Sequence, residues 1–294
     1  MQNRNNIAKN NSKYQKNGGV NRGGYGARPY GERKPQKRID PELAEAVAER
    51  EDIVYGRNPV FELLESGRAI EKIYVQSGER TGSIVKLVAV ARASSVIVVE
   101  ADRKKLDELS GGGLHQGVVA VAAMKEYCEV ADILAVAKEK NEKPFIIICE
   151  NITDPHNLGA IIRTACCAGA HGVIIPKRGG VGVNSTVYKT SAGAAEYMPV
   201  AKVNSISNAI GELKANGVWI YGTDASGEQS YTECDLNGSI ALVIGSEGEG
   251  MKKHTVSQCD FLVKIPLKGK INSLNASAAA AVMIYEALRQ RDSK

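Results

Sequence analysis

From residue 144 onward the chain repeats one theme: a short apolar run, a turn of glycine and small polar residues, then a longer stretch with helical periodicity. Strands are predicted at residues 145–150, 173–176, 198–203, 218–223, 240–245 and 261–265, and helices at 158–168, 185–194, 205–216, 250–259 and 275–291. Few folds accept that alternation. Successive strands joined by helices run parallel, and the helices then cover both faces of the sheet. The expected class is α/β with a mostly parallel sheet. Ligands of such sheets collect beyond the carboxyl ends of the strands, so the turns that follow the strands carry the functional information.

Ahead of this region, residues 52–124 form a smaller α/β pattern. Strands are expected at 70–75, 96–100 and 117–123, and helices at 58–66, 83–93 and 103–109, with Asn58 as a cap and Pro59 in first position. The glycine-rich turn 111–117 is expected to be mobile. A unit of about 70 residues is marginal but viable alone. Residues 125–143 read as a linker with a helix at 129–140, and residues 144–291 as the main domain.

Charge separates these regions from the start of the chain. Residues 1–40 hold ten Lys or Arg against two Asp or Glu, and the rest hold 28 against 31. The body is therefore no broad polyanion binder, and any nucleic-acid contact there needs a local patch. Residues 1–48 are rich in Asn, Gly and Arg and poor in aliphatics, so they are expected to be disordered. Tyr14, Tyr25 and Tyr30 stand among arginines there. That composition fits an RNA-stacking arm and a solvated tail equally. No run approaches the roughly 18–20 apolar residues of a membrane helix, and no secretory signal is visible. Six cysteines without C-x-x-C or zinc spacing read as free thiols of a reducing cytoplasm, with no metal site.

Three turns carry the chemistry. The first is Glu150-Asn-Ile-Thr-Asp-Pro-His-Asn-Leu-Gly, with Asn157 placed to cap the next helix, Gly159 permitting close approach, and Arg163 further along. At about 100° per residue, Asn157 and Arg163 do not share a face. Arginine suits planar phosphate recognition, although a solvated arginine is the plainer reading. The second is Gly245-Ser-Glu-Gly-Glu-Gly-Met, where Glu247 has only a ligand or a neighbour to hold it and Glu249 is placed to begin a helix. The third is Ile265-Pro-Leu-Lys-Gly-Lys-Ile-Asn-Ser273-Leu274-Asn275, where Asn275 opens a helix unusually rich in small residues. Such a helix packs tightly on another element or on a second subunit. Ser191 and Gly193 lie in a further small-residue turn expected to flank the same pocket. These turns present backbone groups, which suits a neutral ligand such as adenine. No G-x-x-x-x-G-K-[ST] is present, and no G-x-G-x-x-G follows the first strand, which disfavours a dehydrogenase.

Together, N-x-x-D-P-x-N-x-G-x-x-x-R-T-A, I-G-S-E-G-E-G-M and I-P-x-x-G-x-x-x-S-L-N-x-S resemble the three motifs of the SpoU (TrmH) family of RNA 2′-O-ribose methyltransferases. Tyr55-Gly-Arg-Asn-Pro-Val60 and Leu114-His-Gln-Gly-Val-Val-Ala120 resemble that family's substrate-binding domain. The resemblance implies a SPOUT α/β fold with a deep trefoil knot in a mostly parallel sheet. It also implies a smaller N-terminal domain of ribosomal-protein type, a homodimer in the cytoplasm, and S-adenosylmethionine as donor. The implied substrate is RNA, most specifically a guanosine of 23S rRNA, with tRNA as the alternative. A non-catalytic RNA- or ribosome-binding protein on the same fold is a further alternative. By the resemblance Arg163 activates the ribose hydroxyl, and Asn157, Glu247, Ser273 and Asn275 shape the active site. Gly245, Ile265 and Leu274 hold the donor through their main chain.

Overall fold

A computed structural model of the chain describes residue 46 and residues 50–78, 82–269 and 273–292. The extension expected at residues 1–48 lies almost wholly outside the described residues. The first unit comprises β1 (Ile53–Tyr55), α1 (Arg57–Glu65), β2 (Ile70–Gln76), α2 (Ser83–Ala93), β3 (Val98–Ala101), α3 (Arg103–Leu109) and β4 (Val118–Ala122), with strand order β1-β4-β2-β3. Strand β1 went unanticipated because three residues are too few to show a period. Helix α1 is capped by Gly56 (φ 96°), so Asn58 sits inside the helix and caps nothing. The turn at 111–117 is pinned: Arg57 donates its backbone N–H to Gln116 Oε1 at 3.0 Å, Lys189 Nζ donates to the Leu114 carbonyl at 3.0 Å, and His115 Nε2 lies 3.0 Å from Asp107 Oδ1.

A connecting helix, α4 (Val130–Glu139), leads into the larger unit. Its elements are β5 (Phe145–Cys149), α5 (Pro155–Cys167), β6 (Gly172–Pro176), α6 (Ser185–Thr190), α7 (Ala194–Tyr197), β7 (Val200–Val203), α8 (Ile206–Ala215), β8 (Trp219–Thr223), β9 (Gln229–Ser230), β10 (Ile240–Ile244), α9 (Lys253–Gln258), β11 (Phe261–Lys264) and α10 (Ala276–Asp292). The helix expected over 185–194 is split into α6 and α7, because Ala192 (φ 54°) and Gly193 (φ 91°) both take left-handed conformations.

The seven strands run in the order β7-β6-β5-β10-β8-β11-β9, and each pairing between them is parallel. Strands β5, β6 and β10 are buried along their whole length, as expected for strands covered on both faces. Alternate residues of β5 feed two cores. Phe145, Ile147 and Cys149 meet α5, α6 and α10, while Ile146 and Ile148 meet α4 and α8. All six cysteines are unpaired. Burial pushes the Cys149 thiol up to about 12, which makes it an inert core residue.

The two units meet along a polar seam. The Arg68 guanidinium pairs with Glu196 at 3.0 Å, donates to the Glu51 carbonyl at 3.1 Å and to the Ala123 carbonyl at 2.6 Å, and lies 4.8 Å above the Tyr188 ring. Both side chains of the pair are buried, Arg68 10% and Glu196 2% exposed. That burial raises the Glu196 carboxyl above its ordinary range, against the pull of Arg68 and Lys125. Next to it, Glu51 Oε1 accepts from Lys202 Nζ and from the Tyr127 hydroxyl, each at 3.1 Å.

Candidate active site

Strand order decides where a site can form. From β5 the chain moves to β6 and β7 on one side, then returns through β8 on the other, and β10 fills the gap between β5 and β8. A crevice opens beyond the carboxyl ends of strands whose connections leave in opposite directions. Here it is walled by the turns after β5 and β10.

The turn after β10 is closed on itself. Ser246 and Gly250 exchange backbone hydrogen bonds of 3.1 and 3.0 Å, and Gly250 has φ +66°. A Cβ on Gly245 would lie 2.4 Å from the Gly250 carbonyl carbon, so only glycine lets the two arms of the turn come this close. Glu247 is thereby projected toward α5 and α10. Its Oε1 accepts from Asn157 Nδ2 at 2.9 Å, from the Ala276 N–H at 3.2 Å, and from Asn275 Nδ2. Asn275 Nδ2 also reaches Asn157 Oδ1 at 2.9 Å, while Asn275 Oδ1 accepts from Ser277 and Ala278 and so caps α10. One carboxylate and two amides thus tie all three turns together.

Two sequence-based assignments are corrected here. Asn157 does not cap α5. Asp154 does, accepting the His156 N–H at 2.8 Å ahead of Pro155, and Asn157 is buried within the first turn. The Asp-Pro pair is the stronger start signal, and it frees the Asn157 amide for Glu247. Glu249 does not lie in the first turn of α9. The start of that helix is held instead by Glu150, just past β5 and 2% exposed, which accepts the Lys252 N–H at 3.0 Å and the Thr255 hydroxyl at 2.6 Å. A carboxylate closing an apolar strand was the available signal for Glu150.

Cavities lie on either side of this turn. One, of about 330 Å³, is walled by the ends of β8, β10 and β11 and includes Thr223, Asp224, Gly245, Ile265, Ser273 and Leu274. The other, of about 490 Å³, includes Asn151, Asp154, Asn157, Gly179, Glu249 and Lys252. Glu247 lines both. Volumes of this order hold small ligands. Of the residues singled out from sequence, Gly245, Glu247, Ile265, Ser273 and Leu274 line the first cavity and Asn157 the second, with Asn275 bonded between them. Three line neither. Arg163 is exposed on α5, six residues past Asn157 on a regular helix. Ser191 is buried against the Tyr188 carbonyl, and a Cβ on Gly193 would strike Glu62 of α1, so both belong to the seam. Gly159, expected to admit a close neighbour, faces Thr190 of α6. Among the described residues, no group of three or more His, Cys, Asp or Glu is placed to hold a metal ion, and no helix is long and apolar enough to cross a membrane.

Residues 144–285 match the SpoU rRNA Methylase family, and residues 53–128 match the RNA 2′-O ribose methyltransferase substrate binding domain. The Bacillus subtilis protein YacO, named for the TrmH family of tRNA/rRNA methyltransferases, is 44% identical over 84% of this chain and 98% of its own length. The chain belongs to the SpoU (TrmH) family of RNA methyltransferases. A Staphylococcus saprophyticus protein named for the same family is 41% identical over 82% of this chain and 97% of its own. Among solved structures, the SpoU methyltransferase AviRb from Streptomyces viridochromogenes, in complex with the cofactor AdoMet, superposes with a TM-score of 0.74. It is 25% identical and covers 86% of this chain and 97% of its own. The fold class read from the sequence, a SPOUT-type, mostly parallel sheet with a smaller N-terminal domain, is the one observed. The first cavity suits an adenosyl donor of the SpoU kind, because Gly245 lets bare main chain form its wall, and Ile265 and Leu274 add apolar surface.

Proposed function

We propose that this protein methylates a ribose 2′-hydroxyl of RNA, a guanosine of 23S rRNA, using S-adenosylmethionine, and that it works as a homodimer in the cytoplasm. The observation that carries the reading is the pair of adjoining cavities sharing the Glu247 turn. Methyl transfer needs two ligands brought together with their reacting atoms aligned. The cavity at Gly245, Ile265 and Leu274 takes the donor, which supplies an electrophilic methyl group. The cavity at Asn157 takes the acceptor. Glu247 holds Asn157 and Asn275 in register between them, and Ser273 stands on the donor side.

Arg163 is exposed and has no hydrogen-bond or ion-pair partner among the described residues. A guanidinium offers a cation and several N–H donors, so its chemistry here is to stabilise the developing alkoxide. That it lines neither cavity of its own chain favours a dimer in which the exposed faces of α5 and the small-residue helix α10 meet a second copy, bringing Arg163 to a shared site. Arg163→Ala is expected to lower methyl transfer about 10²- to 10³-fold, with donor affinity by calorimetry changed less than twofold. Unchanged turnover refutes the role of Arg163. Absence of donor binding by the wild-type protein refutes the enzyme reading. Labelled donor supplied with unmodified 23S rRNA and tRNA transcripts, followed by mapping of the methylated position, decides between the two RNAs.

A further inference from the structure

The cavity beside Asn157 contains a carboxylate that the reading above leaves unused. Three carboxylates line it, those of Asp154, Glu247 and Glu249, and the last two line the first cavity as well. Asp154 is committed to the cap of α5, and Glu247 to Asn157 and Asn275. Glu249 makes no hydrogen bond or ion pair with any described residue, and it does not serve the dipole of α9. It stands on a turn that the Ser246–Gly250 bridge holds in place. Lys252, three residues further along the same turn, also lines the cavity. The Lys252 backbone is fixed by Glu150, and its side chain is exposed and likewise without a partner among the described residues. The cavity is therefore lined by one carboxylate, with two acceptor oxygens, and one cationic side chain, neither engaged by a described residue.

Base edges differ in how they match that arrangement. A carboxylate offers acceptors only, so it binds best where two N–H groups lie side by side. On the Watson–Crick edge, guanine alone has this pattern, N1–H beside N2–H₂, with O6 next to them as an acceptor. Adenine offers one amino group beside an acceptor nitrogen. Cytosine offers one amino group beside two acceptors, and uracil one N–H between two carbonyls. RNA enzymes that act on a single nucleotide read such edges on an unstacked base.

We propose that Glu249 is the specificity-determining residue for the acceptor: its carboxylate takes N1–H and N2–H₂ of an unstacked guanine in the cavity beside Asn157, and Lys252 meets O6. This rests on the methyltransferase reading, and it supplies a physical reason for guanosine within it.

The test uses the full-length protein with labelled S-adenosylmethionine and unmodified rRNA and tRNA transcripts, and the methylated nucleosides are identified by mass spectrometry. The wild-type product is expected to be 2′-O-methylguanosine. Glu249→Gln puts an amide donor where two acceptors stood, which mismatches guanine and matches the amino group and N1 of adenine. It is expected to lower guanosine methylation about 10- to 100-fold. It should also raise methylation of a transcript carrying adenosine at the mapped position, with donor affinity and thermal stability unchanged. Lys252→Met should weaken guanosine methylation without switching the base. A wild-type product on another base overturns the proposal while leaving the methyltransferase reading intact. So does a Glu249→Gln variant with unaltered base preference. Loss of donor affinity in Glu249→Gln places the carboxylate on the donor instead and also overturns it. No methyl transfer by the wild-type protein to any transcript, with the donor bound, removes the underlying reading and the proposal with it.

Discussion

At the seam between the two units, Arg68 reaches the Glu196 carboxylate and the carbonyls of Glu51 and Ala123, and its remaining face covers the Tyr188 ring. At the turn after β10, Glu247 collects two amides and a backbone N–H, yet the side chains of Glu249 and Lys252 a few residues away engage none of the described residues. Both regions mix carboxylates, cations and glycine. In the seam the charged groups pair with one another, and Arg68 and Glu196 are taken out of water. In the turn the internal bonds hold the backbone still and leave other polar groups facing two cavities. Buried and mutually satisfied polar groups fix position. Groups left over on a fixed backbone are the ones that recognise a ligand.

Removing Arg68 is the strongest challenge to this contrast. Arg68→Ala strands a buried carboxylate, and breaking such a pair costs about 3–5 kcal/mol, measured by urea unfolding at pH 7. Glu196 already has a raised pKa in the folded state, and loss of the cation raises it further. The folded protein then binds a proton more readily than the unfolded chain, so the penalty shrinks as pH falls below neutrality. Donor affinity is expected to stay within twofold of wild type. A donor-binding defect as large as the stability defect erases the distinction between the regions.

Glu247→Ala tests the opposite side. The cluster loses its common acceptor and the buried Asn157 amide is left short of a partner, which costs about 1–3 kcal/mol. Because small displacements of positioning groups are costly to catalysis, methyl transfer is expected to fall about 10²-fold, read by single-turnover kinetics. Activity loss should exceed stability loss, the reverse of Arg68→Ala. The smallest effect belongs to the rim of the seam, where the Tyr197 hydroxyl donates to Glu62 Oε2 at 2.6 Å with Tyr197 49% exposed. Tyr197→Phe should cost under about 1 kcal/mol by the same urea assay. A larger loss means that the solvent-facing edge contributes as much as the buried pair.

Local signals made much of this molecule legible in its sequence. Helices α2 and α3 run over the residues their periodicity predicts, and the glycines of the 245–251 turn mark the site because close approach leaves no room for a Cβ at Gly245. The misreadings share a cause. Asn157 and Asp154 are both capping residue types, and only three-dimensional contact with Glu247 shows which one is diverted. Ser191 and Gly193 sit in a small-residue turn like those of the site, but what approaches Gly193 is α1, more than a hundred residues earlier in the chain. The position of β10 between β5 and β8 is likewise a long-range fact, since alternation gives the number of strands and not their order.

That placement of β10 bears on how the chain is made. Strand β5 ends at Cys149, and β10, which pairs with it along its length, begins only at Ile240. At about 5–20 residues per second of synthesis, the two are separated by roughly 5–20 seconds. Throughout that interval one hydrogen-bonding edge of β5 has left the ribosome without its native neighbour, and so in turn have both edges of β8, whose neighbours β10 and β11 come later in the chain. Unpaired edges of apolar strands are templates for wrong pairing. The central slot of the sheet must therefore stay open during vectorial synthesis and be filled from the carboxyl end of the chain, so that the cavity wall at Gly245 is among the last parts of the sheet to be completed.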